Sequence, residues 1–210
     1  MDLLVVAATQ KEIAPFIETN PKTSIFITGV GVPATIFNLS KKLASEKFDL
    51  VIQAGIAGTF AEKFDSKNAV VVDKDTFADI GADDHGTFKT LFEMGLANEN
   101  EFPYQSGWLT NDTQLLTDIK LTSVSGITVN KIIDDQSQIK KLADKFQPDI
   151  ESMEGAAFHY VCLMNRVNFL QLRAISNLVG ERDKSKWKLK EAIASLNDEL
   201  QILITKFSSL

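Results

Sequence analysis

Two glutamates and an arginine stand at or beside apolar runs of the kind that form buried strands. Glu12 follows residues 3–8, Arg173 lies within residues 169–175, and Glu154 precedes a small-residue run that opens a predicted helix. Ligands of open α/β sheets bind at the carboxyl ends of the strands. Carboxylates in such a place are suited to acid–base chemistry. We therefore predict a functional site centred on Glu154.

Both glutamates also have an ordinary structural interpretation. A carboxylate near the start of a helix is stabilised by the positive end of the helix dipole. Glu12 would then be a surface acid in the turn after Thr9, a residue type that can cap a helix. The small residues from Gly155 to Ala157 would serve only close packing. From the local sequence alone, both interpretations remain open.

Predicted strands and helices alternate along the chain. Apolar runs predict strands at residues 3–8, 24–28, 50–54, 69–72, 127–129 and 169–175. Apolar residues spaced by three and four predict helices after Pro33, over residues 134–146 and over residues 193–207. The alternation predicts an α/β fold in a single domain spanning residues 1–210. Its expected form is a three-layer α/β/α sandwich with a mixed central sheet.

The overall composition excludes some functional classes. The chain has 210 residues, a net charge of −6 and one cysteine, Cys162. Nucleic-acid-binding proteins normally carry a basic face, so the charge argues against that class. A lone cysteine cannot form an internal disulfide, which favours a reducing, cytoplasmic setting. Residues 1–8 lack a basic segment and are too short for a signal peptide or membrane span, so no membrane partner is expected.

Two glycine-containing turns follow predicted strands. Gly55 and Ile56 come directly after residues 50–54, and Gly29 and Gly31 follow residues 24–28. Glycine lets a ligand approach the backbone closely. A single GxG is only a weak signal for a phosphate-binding loop, so we interpret Gly29 and Gly31 as a tight turn near a substrate. Gly55 and Ile56 are expected to begin a glycine-rich loop, with no basic residue following it to bind a phosphate.

The middle of the chain, residues 75–105, is predicted to be rich in loops. Phe77 in this segment could line a pocket, and Asn130 ends the strand predicted at residues 127–129. Acids and a histidine cluster among glycines in the same segment: Asp79, Asp83, Asp84 and His85. Adjacent acids in such a loop are usually solvated, so we expect no bound metal.

Several spaced motifs carry a family resemblance over most of the chain. They lie at residues 7–12, 53–58, 79–84, 92–96, 149–158 and 173–177. The set resembles the superfamily of purine nucleoside phosphorylases and nucleosidases. Its hydrolase branch, which includes methylthioadenosine/S-adenosylhomocysteine nucleosidase, is the more similar half. The resemblance implies a nucleoside phosphorylase-like fold, a small-molecule nucleoside substrate, no cofactor and a homo-oligomer.

The resemblance also implies roles for individual residues. Glu12 falls where the nucleosidases keep the carboxylate that activates water, and Arg173 where an arginine positions that water. Met153 matches a methionine under the ribose, and Glu154 matches the glutamate that accepts hydrogen bonds from the ribose hydroxyls. Asn177 falls where the nucleosidases carry an aspartate that protonates the purine at N7. The substrate pocket is expected to include the four further residues introduced above: Gly55, Ile56, Asn130 and Phe77.

The asparagine at position 177 indicates which purine base is released. A 6-oxopurine presents acceptors at both O6 and N7, which suit the donors of the Asn177 amide. An adenine presents an amino donor instead, which suits an aspartate. Leaving a buried acceptor unpaired costs about 1–3 kcal/mol. Asn177 therefore favours a 6-oxopurine such as hypoxanthine or guanine.

The loops within residues 1–72 favour hydrolysis over phosphorolysis. Phosphorylases of this superfamily hold the anion with arginines and a hydroxyl, yet residues 1–72 contain no arginine. The apolar side chain of Ile56 cannot bind phosphate. Two alternatives remain: a nucleosidase for methylthioadenosine or other nucleosides, and a nucleoside-binding protein without turnover. Asn177 argues against adenine substrates, and a general base such as Glu12 is not required for binding alone.

Overall fold

The computed structural model describes residues 1–61, 64 and 69–208. Its strands in chain order are β1 (Leu3–Ala7), β2 (Ser24–Ile27), β3 (Leu50–Thr59), β4 (Ala69–Phe77), β5 (Gly81–Asp84), β6 (Thr87–Thr90), β7 (Leu109–Thr110), β8 (Thr122–Thr128), β9 (Ile150–Ser152) and β10 (Asn168–Leu178). Its α-helices are α1 (Ala14–Thr19), α2 (Val32–Ser45), α3 (Gln136–Phe146), α4 (Gly155–Asn165) and α5 (Leu189–Ser208).

The central sheet contains both parallel and antiparallel strand pairs. Strands β2, β1, β3 and β10 are parallel neighbours, whereas β4 runs antiparallel to β10. Strand β8 pairs with β4, and the short β9 joins β8 to β3. Since β3 pairs with both β9 and β10, a ring closes at one side of the sheet. It consists of five strands: β3, β10, β4, β8 and β9. The prediction of a mixed sheet is confirmed.

Helices cover the sheet on both faces, as the predicted sandwich requires. On one face, Phe16 of α1 and Leu200 of α5 pack against Ile52 and Leu172. On the other face, the helices α2 and α4 contribute Leu39 and Phe158 to a separate buried cluster. The apolar stripe of α5 is core, as its spacing predicts: Leu196, Leu200, Leu203 and Phe207 are all buried.

Three segments differ in detail from the sequence prediction. Residues 55–58, predicted to form a glycine-rich loop, continue strand β3, because they pair with β10 as far as Thr59. Residues Gln10–Glu12 form a short 3-10 turn, and the regular helix α1 begins only at Ala14. The segment predicted to be loop-rich contains the end of β4 and the hairpin of β5 and β6. His85 and Gly86 form the hairpin turn with φ values of 50° and 82°, the positive values that a tight two-residue turn demands.

None of the helices in the part of the chain that the structure describes is long and apolar enough to cross a membrane.

Candidate active site

Glu12 and Arg173 meet above Gly55 in strand β3. A Cβ atom on Gly55 would lie 2.3 Å from Arg173 Nη1 and 3.1 Å from Glu12 Oε1. The two side chains therefore occupy the space that any larger residue at position 55 would fill. Glycine here serves close approach of side chains to the backbone. The structure thus brings three of the predicted site residues together.

Both oxygens of the Glu12 carboxylate are held in place. Thr9 donates to Oε2 from its backbone N–H and from its hydroxyl, each at 2.9 Å. The Ile56 N–H donates to Oε1 at 3.3 Å. The side chain is half-buried. Glu12 therefore caps the 3-10 turn with one oxygen and presents the other beside Gly55, so the two sequence interpretations are compatible.

The guanidinium of Arg173 is buried and donates hydrogen bonds to neutral groups. It is 1% exposed. Its Nη2 donates to Gln53 Oε1 at 2.8 Å, and its Nη1 donates to the Ile56 carbonyl at 3.4 Å. Its Nε has no hydrogen-bond partner within the described residues. Its two hydrogen bonds go to neutral acceptors, while its charge acts on the nearby Glu154 carboxylate and its Nη1 lies beside Glu12 at Gly55. The guanidinium can therefore orient a polar molecule next to Glu12.

Glu154 is a buried carboxylate just before the first residue of α4. Its Oε1 accepts a hydrogen bond of 2.9 Å from the Gly31 N–H. Gly31 has a φ of 88°, a conformation that favours glycine. Burial raises the pKa of Glu154, while the positive charge of Arg173 acts to lower it. The preceding residue, Met153, is half-buried. The glycine turn interpreted from sequence as close to substrate therefore contacts the central glutamate.

Asn177 lies near the end of β10, where the strand bulges. The pairing with β3 shifts register between Ile175 and Asn177, so Asn177 stands opposite Gly58. Its Oδ1 accepts from the Ser176 hydroxyl at 2.7 Å, and its Nδ2 donates to the Leu178 carbonyl at 2.8 Å. These two bonds set the orientation of the amide and leave one Nδ2 proton for another acceptor.

Two predicted pocket residues lie elsewhere. Asn130 is exposed, and its backbone and side-chain nitrogens donate to the Asp79 carboxylate at 2.5 and 3.0 Å. Phe77 lines a cavity of about 350 Å³ together with Trp108 and Phe146. Glu12, Arg173 and Glu154 do not line that cavity. Contacts of Asn130 and Phe77 with substrate stay predictions.

A buried polar cluster not expected from the sequence supports the start of α4. Thr128 Oγ1 accepts from the Ala156 N–H at 2.7 Å and donates to Asp75 Oδ1 at 2.9 Å. Burial raises the pKa of Asp75 to about 7. A Cβ on Gly155 would lie 2.0 Å from Asp75 Oδ2. The small residue after Glu154 thus lets the helix begin directly against this carboxyl group.

Two buried glutamines connect this cluster to Arg173. Gln171 Nε2 donates to Asp75 Oδ2 at 3.2 Å, while Gln53 accepts from the guanidinium as described above. Gln53 and Gln171 are directly paired between β3 and β10. His159 is also buried nearby in α4, and burial lowers its pKa to about 4. The available sequence signal was a glutamine interrupting each of two largely apolar strands, Gln53 in β3 and Gln171 in β10.

The acidic residues near the β5–β6 hairpin do not form a metal site within the part of the chain described. No group of three or more histidine, cysteine, aspartate or glutamate side chains there is arranged to hold an ion. The Asp79 carboxylate accepts a hydrogen bond from the Asn130 side chain. Asp84 forms an ion pair with Lys89, with Oδ2 2.5 Å from Nζ. His85 is exposed at the hairpin turn.

Comparison with known proteins extends over nearly the whole chain. Residues 3–209 match the model of the phosphorylase superfamily. Over 218 aligned residues the chain is 28% identical to a futalosine hydrolase of Thermus thermophilus, covering 97% of this chain and 95% of that protein.

Solved structures show the same fold. A methylthioadenosine/S-adenosylhomocysteine nucleosidase of Campylobacter jejuni superimposes with a TM-score of 0.81 at 18% identity, and each chain is covered to 100%. The native futalosine hydrolase of Helicobacter pylori superimposes with a TM-score of 0.79 at 14% identity, and each chain is covered to 97%. The predicted fold class is confirmed.

Proposed function

The chain belongs to the phosphorylase superfamily, and on that premise we propose that it is a nucleosidase for futalosine. It would hydrolyse the N-glycosidic bond and release hypoxanthine and dehypoxanthine futalosine, a step of menaquinone biosynthesis. The observation that carries the hydrolytic chemistry is the meeting of Glu12 and Arg173 above Gly55. The similarity to a futalosine hydrolase over 97% of the chain supports the substrate.

Glu12 and Arg173 are suited to activate water. A water bound between them would lose a proton to Glu12 as its oxygen bonds to C1′ of the ribose and the bond from C1′ to N9 breaks. The Arg173 guanidinium would hold the water oxygen in line. The bonds from Thr9 and Ile56 keep the carboxylate in one orientation, so little reorganisation is needed during the reaction.

Glu154 is placed to bind and stabilise the sugar. Breaking the glycosidic bond develops positive charge on the ribose, and a nearby carboxylate stabilises that charge. Glu154 would accept hydrogen bonds from the ribose hydroxyls, with Met153 against the sugar face. The Gly31 N–H already fixes one of its oxygens. The other remains for the ribose.

The leaving base would receive a hydrogen bond from Asn177. The free Nδ2 proton suits N7 or O6 of hypoxanthine, where negative charge develops as the bond breaks. Gly55 and Ile56 would line the site on the side of the attacking water. Because the Ile56 side chain is apolar and its N–H already donates to Glu12, Ile56 offers no donor to a phosphate, which favours water as the nucleophile. Asn130 and Phe77 are proposed to contact more distant parts of the substrate.

The decisive experiment is to incubate the protein with futalosine, inosine and methylthioadenosine, each with and without phosphate. We expect hypoxanthine release from futalosine at a rate independent of phosphate, and little adenine from methylthioadenosine. A requirement for phosphate would identify a phosphorylase. Faster release of adenine would identify a methylthioadenosine-type nucleosidase, and binding without release would identify a binding protein.

We predict that Glu154→Gln weakens binding and slows turnover, each by roughly tenfold or more. The reason is that the ribose contacts act both before and during bond breaking, and hydrogen bonds to charged groups contribute about 1.5–3 kcal/mol. Steady-state kinetics with futalosine, together with a direct binding measurement, test this. Normal hydrolysis by the variant would show that Glu154 is not the centre of the site.

A homo-oligomer is proposed from exposed apolar side chains close to the site. Val30 and Phe37 are 56% and 69% exposed. Val30 directly precedes Gly31, whose N–H contacts Glu154. Phe37 lies in helix α2. Association surfaces are rich in exposed large apolar side chains of this kind. Light scattering should give at least twice the 23.2 kDa of the chain, and a monomer at all concentrations would contradict this.

A cytoplasmic location is proposed from the cysteine content. Cys162 is buried and unpaired. Free buried thiols are typical of proteins in reducing compartments.

A further inference from the structure

Asp75 of strand β4 is a fully buried acid that the proposed mechanism does not use. Two glycines make room for its carboxyl group, because a Cβ atom on Gly126 or Gly155 would lie 2.8 or 2.0 Å from Asp75 Oδ2. Its Oδ1 accepts a hydrogen bond from the Thr128 hydroxyl at 2.9 Å. A carboxyl group enclosed in this way is costly to keep charged. Its protonation state therefore calls for an explanation.

Asp75 lies between the supports of two functional side chains. On one side, Thr128 links it to a backbone N–H in the first turn of α4, the helix that Glu154 precedes. On the other side, its Oδ2 lies 3.2 Å from Gln171 Nε2. Gln171 is two residues before Arg173 on β10, and residues two apart on a strand project to the same face. Asp75 therefore contacts groups that position both Glu154 and Arg173.

Two acceptor atoms near Asp75 have no hydrogen-bond partner within the described residues. They are Gln171 Oε1 and His159 Nε2. Burial lowers the pKa of His159 to about 4, so the ring is neutral. Its Nδ1 donates to the Leu109 carbonyl at 2.8 Å, and Nε2 of a neutral ring must then accept. Gln171 acts to raise the pKa of His159, which shows that the two side chains are neighbours.

A half-turn of the Gln171 amide satisfies both of these acceptors. Its NH₂ group then donates to His159 Nε2, and its oxygen faces Asp75 Oδ2. Two oxygens can share a hydrogen bond only when one of them carries a proton. Asp75 must supply that proton, because an amide oxygen is an acceptor only. Since buried acceptors without partners are costly, the network favours a protonated Asp75.

We propose that Asp75 is a positioning residue that works as a neutral carboxylic acid, donating its proton to Gln171 and leaving the charge of Arg173 to the candidate site. This inference rests on the proposed nucleosidase function and deepens it. The charge of Arg173 acts to lower the pKa of both Asp75 and Glu154. A charged Asp75 would therefore compete with Glu154 for this cation. A neutral Asp75 leaves the guanidinium to act on Glu154 and on water beside Glu12.

The surroundings of Asp75 favour the neutral form near and below neutral pH. Burial raises the pKa of Asp75 to about 7, although hydrogen bonds from Thr128 and Gln171 and the charge of Arg173 act to lower it. Arg173 on β10 is the cation that acts on this carboxyl group, and His159 on α4 is the titratable side chain behind Gln171. Raising the pH above about 7 should remove the neutral acid and with it the active form.

The first test compares the melting temperature of Asp75→Asn with that of the unmodified protein at several pH values. Asparagine keeps an acceptor for Thr128 and an N–H donor for Gln171, so it mimics the neutral acid at every pH. A group whose pKa is raised on folding loses its stabilising contribution as the pH rises through the folded value. The unmodified protein should therefore lose stability relative to the variant between the ordinary pKa of 3.8 and about 7. Asp112→Asn, which removes an exposed acid, should show no such change.

The second test measures the pH dependence of hydrolysis, with whichever of futalosine, inosine and methylthioadenosine is hydrolysed. At about pH 6, Asp75→Asn should keep kcat within about twofold of the unmodified protein. Between about pH 6 and 9, the ratio of the variant's kcat to that of the unmodified protein should rise roughly tenfold or more, because the neutral acid is lost above its pKa. The ratio for Asp112→Asn should stay constant. A role in stability alone would not produce this change.

A third variant removes the hydrogen bonds of Asp75 altogether. Asp75→Leu offers neither a donor nor an acceptor, so it should lower kcat by roughly tenfold or more at both pH values. Full activity of the folded leucine variant would overturn the positioning role. If that variant does not fold, the pH dependence of the asparagine ratio decides the role by itself.

The outcomes distinguish this inference from the proposed function. Hydrolysis of futalosine with a constant ratio of kcat values would overturn the inference and retain the function. A melting temperature that rises with pH relative to Asp75→Asn would show a charged Asp75 and would also overturn the inference. If none of the three nucleosides were hydrolysed, the proposed function would be overturned and the positioning role with it. The difference in melting temperature would still decide the protonation state of Asp75.

Discussion

Glu12→Gln is expected to lower turnover by at least roughly 100-fold while leaving the affinity for substrate nearly unchanged. Glutamine keeps the shape of the side chain and an oxygen that can accept from the Thr9 N–H. It cannot take a proton from water at neutral pH. The loss should therefore appear in kcat and not in the dissociation constant. Hypoxanthine release under saturating futalosine, together with calorimetric binding, gives both quantities.

The control for this variant lies on the neighbouring helix. Glu18 is an exposed acid of α1, and Glu18→Gln removes the same charge without touching the site. Its kinetics should equal those of the unmodified protein. Melting temperatures of both variants show whether the 3-10 turn that Glu12 caps is retained. Near-normal turnover by a folded Glu12→Gln protein would remove Glu12 from the mechanism.

Regular periodicity made most of the fold predictable. The stripe of α5 and the continuous apolar strands depend on local spacing, which reports directly which side of an element is buried. The closure of β3, β10, β4, β8 and β9 into a ring was not predictable in this way. It depends on the three-residue strand β9, whose pairing is decided by its partners and not by its own composition.

Part of the candidate site could be predicted because ligand sites of α/β sheets lie at the carboxyl ends of the strands. Glu12 lies in the turn after β1 and Arg173 lies in β10, yet both are brought to Gly55. Gln53 was missed because its importance comes from its pairing with Gln171, which lies 118 positions later in the chain, on β10. A single polar residue in a buried strand does not reveal its partner. Only the register shows that the two meet.

Residues beyond bulges were the least predictable. The pairing of β4 with β8 shifts between Val72 and Lys74, and that of β10 with β3 shifts between Ile175 and Asn177. A bulge changes which face later side chains occupy, so simple alternation fails past it. Phe77 follows the first shift and lines a cavity separate from Glu12. Asn177 follows the second shift, and only the structure shows that it lies opposite Gly58.

Asn177→Asp is expected to move the preference of the enzyme from hypoxanthine towards adenine nucleosides. The substitution replaces the Nδ2 donor with an acceptor, which mismatches O6 of hypoxanthine and suits the amino group of adenine. A mismatched buried polar group costs about 1–3 kcal/mol, so the ratio of kcat/KM values should shift by roughly 10- to 100-fold. The assay compares futalosine with its adenine analogue for both proteins.

The local bonds of Asn177 make this test specific. The Ser176 hydroxyl donates to Oδ1, and that bond survives in the aspartate and holds one carboxylate oxygen. The other oxygen replaces Nδ2 and is repelled by the Leu178 carbonyl. The bond from Nδ2 to the Leu178 carbonyl is lost, and the control for that loss is Asn177→Ala. Alanine should weaken both substrates without favouring adenine, whereas aspartate should favour adenine. If the two variants gave the same ratio, or if aspartate left it unchanged, Asn177 would not read the purine.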